Sequence, residues 1–116
     1  MSELVGIARF KIHEGKLEEF KRLSAEAMEI VKTKDTGTLR YDTYFNDDES
    51  ECVILEMFRD SQALIDHAQN MDELSAKILA IVTVVHGDLL GEPNDELRAK
   101  LAGSGPPQLF TPYQSM

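Results

Sequence analysis

Tryptophan is absent from this chain, and cysteine occurs once, as Cys52. A single cysteine permits no intrachain disulfide framework, and its place in an alternating apolar stretch reads as a small buried hydrophobe. Basic residues are scarce: 12 Lys and Arg stand against 21 Asp and Glu, for a net charge of −9. The acids are spread through every segment and no Lys/Arg cluster interrupts them. Such a surface repels phosphate backbones and anionic headgroups, so no nucleic acid and no membrane partner is expected. Long apolar runs are missing too, since none reaches the roughly 18 residues of a spanning helix. No basic stretch followed by an apolar one opens the chain, so no secretory signal is read and the expected location is cytoplasmic. Gly-rich phosphate loops, Cys/His metal spacing and nucleophile elbows are also not found. The expectation is therefore no metal and no cofactor.

What is present is an ordinary folded composition, 42% hydrophobic and 28% charged over 116 residues. That length suits one domain with a modest core, burying only about two-thirds of the unfolded surface. The most informative stretch runs from Gly37 to Phe58. Tyr41, Thr43 and Phe45 alternate with Arg40, Asp42 and Tyr44. After the polar run Asn46-Asp47-Asp48-Glu49-Ser50, Cys52, Ile54, Glu56 and Phe58 alternate with Val53, Leu55 and Met57. Period-two patterning on both sides of a turn cluster predicts an antiparallel hairpin.

Helical patterns flank it. Before the hairpin, Leu4 to Ile12 alternates as a first strand, with Ala8, Phe10 and Ile12 on one face. Leu17, Phe20, Leu23, Ala27, Ile30 and Val31 then recur at helical spacing, in a helix that stops near Lys34. Asp35-Thr36-Gly37 supplies the turn. After the hairpin, Asp60 or Ser61 can cap a second helical stretch carrying Ala63, Leu64, His67, Ala68, Met71, Leu74, Ile78 and Leu79. Asn70-Met71-Asp72 divides it, because Asp72 and Glu73 suit a new N-terminus. A fourth strand is expected from about Thr83 to Leu90, with a bulge at Gly87. Asn94, Asp95 and Glu96 open a short helix to Ala102. The apolar strap Leu109 to Tyr113 calls for a surface, with a partner subunit favoured and the same chain left open.

The order β-α-β-β-α-β is the ferredoxin-like arrangement, an α+β fold with a four-stranded antiparallel sheet and both helices on one face. Residues 1–92 form that domain and 93–116 a C-terminal extension. The sheet face opposite the helices is left apolar and uncovered, which predicts a homodimer packed face to face.

Several features in order complete the pattern: Ala8-Arg9 ending the first strand, Gly15-Lys16 at the helix start, and Gly37-x-Leu39-x-Tyr41. They are followed by Glu56-x-Phe58-x-Asp60-Ser61-x-x-Ala63 leading into a helix with His67. Together, over roughly residues 4 to 90, they resemble the antibiotic biosynthesis monooxygenase family. The resemblance implies a dimeric α+β barrel with a pocket between sheet and helices in each subunit. It also implies oxygenation of phenols or quinols without flavin, haem or metal. The family often has Glu-x-Trp where this chain has Glu56-x-Phe58. Haem-degrading branches use a first-strand Asn and a Trp and His on the second helix. Ala8 and the absence of Trp set this chain apart from them.

Cofactor-free oxygenation needs a base, donors for the resulting anion and a dry pocket. His67 is the candidate base, because it shares an apolar stripe with Leu64 and Met71. If desolvation prevails its imidazole is neutral near pH 7 and can accept a phenolic proton. The competing reading is a structural histidine with no space beside it. Phe58, Leu64 and Met71 are the expected substrate-binding residues, with His86 a weaker catalytic candidate. Glu56 is expected to pair with Arg9 or Arg40. Two functions follow: a cofactor-independent monooxygenase acting on a small apolar or aromatic, phenol- or quinol-like ligand, or a non-catalytic module that binds such a ligand.

Overall fold

The computed structural model of the protein describes residues 3–103 and 105–116. In chain order its elements are β1 (Leu4–Ile12), α1 (Leu17–Lys34), β2 (Thr38–Phe45), β3 (Glu51–Phe58), α2 (Ser61–Asn70), α3 (Asp72–Leu79), β4 (Val82–Leu90), α4 (Asp95–Lys100) and β5 (Gln108–Phe110). The fold is α+β, with the helices on one face of a sheet ordered β2-β3-β1-β4-β5. The sheet has five strands where four were expected. β5 adds to the edge of β4 in parallel, pairing Leu89 with Leu109.

The strand faces follow the alternation in the sequence. β1 lies between β3 and β4, with Gly6 opposite Glu56 and Ala8 opposite both Ile54 and Gly87. Gly6, Ala8, Phe10, Cys52, Ile54, Glu56, Phe58 and Tyr41 therefore share the helix-facing side. The bulge expected at Gly87 lies elsewhere. The β1–β4 register shifts between Arg9, which pairs with His86, and Phe10, which pairs with Val84, leaving Val85 as the additional residue.

Two clusters make the core. One joins Phe20, Leu23 and Ala27 of α1 to Tyr41, Cys52 and Ile54 of the sheet and to Met71, Leu74 and Ile78. The other joins Leu4, Phe58, Ala63, Ile65, Leu89 and Leu97, with Leu101 and Leu109 packed against it. The second cluster brings the C-terminal segment into the body of the molecule. Between the two placements left open for the strap, its first part packs on its own chain: residues 108–110 pair with β4, because their backbone completes an otherwise open strand edge.

Gly37 brings the α1–β2 turn up against α2. A Cβ at this position would lie 2.4 Å from Cβ of Ala63, so only glycine permits the approach. The Gly37 carbonyl accepts from the Arg59 backbone N–H at 2.8 Å, tying the turn to the end of β3. Asp60 then caps α2, its Oδ1 accepting from the Ala63 N–H at 2.9 Å. These contacts set Asp35, which directly follows α1, beside the middle of α2.

Candidate active site

His67 lies on the inner face of α2 and is 7% exposed. Its Nδ1 donates to Oδ2 of Asp35 at 2.6 Å. The same oxygen accepts from Thr38 Oγ1 at 2.7 Å, while Oδ1 accepts from Asn70 Nδ2 at 2.8 Å. Asp35 is thus a buried carboxylate with donors on both oxygens, a geometry that fixes the imidazole plane. On the other side, Nε2 of His67 lies 3.7 Å from Oε2 of Glu56. The rings of Phe58 and Tyr41 flank the imidazole at centroid distances of 5.2 Å and 5.7 Å.

The electrostatics follow from this placement. Burial alone would lower the pKa of His67, but the Glu56 and Asp35 carboxylates outweigh it and hold the pKa above 6.5. The condition for a neutral imidazole, that desolvation prevail, is therefore not met, because its two acidic neighbours shift the pKa upward. Burial raises the pKa of Asp35, yet bonds from Asn70, His67 and Thr38 prevail and hold it below 3.8. Burial, with the charges of Glu56 and Asp35, pushes the Tyr41 phenol upward, so it stays protonated. Burial also pushes the Cys52 thiol up to about 11, the state of an inert core thiol.

A cavity of about 450 Å³ opens beside the imidazole, within the range of small-molecule sites. Phe58, Leu64, His67 and Met71 all line it, together with Glu56 and with Gly6 and Ala8 of β1. None of the described lining residues is Lys or Arg. Among the described residues, no group of three or more His, Cys, Asp or Glu side chains is arranged to hold a metal ion.

His86 is not brought to this place. It is exposed and pairs with Arg9 on the sheet face away from the helices, with Nε2 donating to Oδ2 of Asp88 at 2.7 Å. Glu56 also departs from expectation, because Arg9 binds Glu51 and Arg40 binds Asp42, leaving Glu56 to face His67. Asp35 was read only as a turn residue. Its distance of 32 positions from His67 leaves no periodic signal, and only the seating of Gly37 on α2 joins the two.

Comparison with known proteins matches the sequence profile of the antibiotic biosynthesis monooxygenases to residues 4–76. The chain belongs to the antibiotic biosynthesis monooxygenase family. Among solved structures, MupZ from Pseudomonas fluorescens superposes with a TM-score of 0.80 at 27% identity, covering 100% of this chain and 94% of that one. Rv0793 from Mycobacterium tuberculosis gives 0.68 at 24% identity, over 81% of this chain and 97% of its own. SnoaB from Streptomyces nogalater, a cofactor-independent oxygenase, shares the fold with a TM-score of 0.67 at 17% identity, over 77% of this chain and 91% of its own. No curated protein matches the chain at a significant level. Membership of the family supports a monooxygenase-type, small-molecule-binding domain, and no described helix is long and apolar enough to cross a membrane.

Proposed function

We propose that this protein is a cofactor-independent monooxygenase of small apolar, phenol- or quinol-like molecules, working as a homodimer. The observation that carries the reading is the position of the His67–Glu56 pair, a donor and an acceptor 3.7 Å apart on the wall of a largely apolar cavity. A substrate hydroxyl seated there meets both at once. Glu56 takes its proton, and the imidazolium, favoured by its carboxylate neighbours and oriented by Asp35, donates to the oxyanion that forms. The electron-rich anion passes one electron to dioxygen, and the radical pair recombines into a carbon–oxygen bond. Loss of water from the resulting hydroperoxide leaves the quinone. For an anthrone, one O2 is consumed and one H2O released per quinone. The apolar walls keep bulk water from quenching the anion.

Oxygen uptake with a panel of anthrones and quinols tests this directly. The expected result is uptake matched by quinone formation without added flavin, haem or metal, and abolished in Glu56→Gln. Saturable binding without uptake would instead establish the alternative, a ligand-binding module. Phe58 in place of the family's frequent Trp is compatible with that outcome.

A further inference from the structure

The floor of the cavity is built from residues without bulk. Across the sheet from β3 to β4 the helix-facing positions run from Glu56 to Gly6 and Ala8 and then to Gly87. A Cβ at Gly6 would lie 3.4 Å from Oε1 of Glu56, so the missing side chain leaves the carboxylate open along this line. Two strand spacings make the trough about 10 Å wide. Its far side is closed by the C-terminal segment, because Pro106 and Pro107 line the same cavity. They seat on the second glycine, where a Cβ at Gly87 would lie 3.0 Å from Cβ of Pro106. β5 then anchors the prolines, with the Gly91 N–H donating to the Phe110 carbonyl at 3.0 Å. The family profile ends at residue 76, and Rv0793 and SnoaB cover 81% and 77% of this chain, whereas MupZ covers all of it.

We infer that Pro106 and Pro107 are specificity-determining residues, the end wall of a trough that takes an elongated, neutral molecule with a hydroxyl at one end and an apolar body. The hydroxyl lies at Glu56 and the body runs over Gly6 and Ala8 toward the prolines. Neutrality follows from the walls, where His67 already answers Glu56, while Asp88 and the lack of any described Lys or Arg disfavour an anionic body. This inference rests on the reading of the cavity as the substrate site.

The test uses para-alkylphenols from ethyl to octyl, titrated into the full chain while the His67 imidazole resonance is followed by NMR. In the unaltered protein affinity rises about fourfold per methylene, then stops rising once the tail reaches the wall. Replacing both prolines, Pro106→Gly with Pro107→Gly, moves that optimum to longer chains without weakening the short ones. Ala8→Leu enlarges a side chain on the trough floor between Glu56 and the prolines and moves the optimum to shorter chains, so a result remains available if the double variant fails to fold. An optimum unchanged in every folded variant overturns the wall while leaving the site intact. Absence of any response at His67 across the series overturns the cavity as the substrate site, and the wall with it.

Discussion

His67 stands between a carboxylate that follows α1 and another in mid-β3, and each neighbour governs a different property. Asp35 fixes the orientation of the ring and Glu56 shares the cavity with it. Replacing Asp35 with Ala leaves the imidazolium, the Thr38 hydroxyl and the Asn70 amide without their acceptor. It is expected to cost about 3 kcal/mol of stability, as breaking a buried pair from one side does, read as a lower denaturant midpoint. The pH dependence has a definite sign. The depressed Asp35 pKa contributes stability that is complete above pH 3.8 and is lost as pH falls through its folded value. The raised His67 pKa contributes stability that is complete below pH 6.5 and is lost as pH rises through its folded value. Stability should form a plateau between these limits, and His67→Gln should flatten its alkaline side. An alkaline slope unchanged in that variant would show the ring to be uncoupled from folding. His67→Gln and His67→Ala also separate chemistry from packing. A catalytic imidazole predicts folded variants without turnover, whereas a purely structural one predicts that turnover per folded molecule survives.

At the scale of elements, the site depends on how α2 is held at both ends and along its flank. Asp60 caps its start, and Gly37 lets the turn carrying Asp35 approach it. α4 covers its outer side, where Leu97 is 2% exposed and packs with Ile65. α4 is itself capped, the Asn94 side chain accepting from the Leu97 N–H at 2.9 Å. A second tie runs from the Asn94 N–H to Ser61 Oγ at 2.8 Å. Asn94→Ala should lower stability by about 1 kcal/mol and Leu97→Ala by about 3 kcal/mol, both visible as a lower Tm in one cooperative transition. A separate early transition for the C-terminal segment, with the main Tm unmoved, would contradict its place in the core.

For the molecule as a whole, the sheet has a face the helices cannot reach. Val5, Ile7, Val53, Leu55 and Met57 alternate onto it and are only half-buried, and Leu90 is 37% exposed. Covering such a face with a second copy gains about 25 cal/mol per Å² of apolar area removed from water. Light scattering at micromolar concentration is expected to give twice the chain mass. Leu55→Lys, which sets a charge in the middle of that face, should shift the mass toward the monomer. A well-folded monomer of the unaltered chain would rule out the face-to-face assembly.

The order of strands and helices was legible in the residues because each local period has one structural meaning. Alternation put Glu56 with Phe58 on one side of β3, and the helical stripe put His67 in line with Leu64 and Met71. The caps at Asp60 and Asn94 were legible for the same reason, since a cap is satisfied within three residues. Local patterning does not specify which elements come to face each other. The meeting of Asp35 with His67, the choice of Glu56 for His67 over either arginine, and the addition of β5 to β4 each join residues far apart in the chain. Their energies exist only after the chain has closed, and the same holds for the upward shift of the His67 pKa. Burial favoured the neutral ring, and only the folded arrangement supplied the two carboxylates that reversed it.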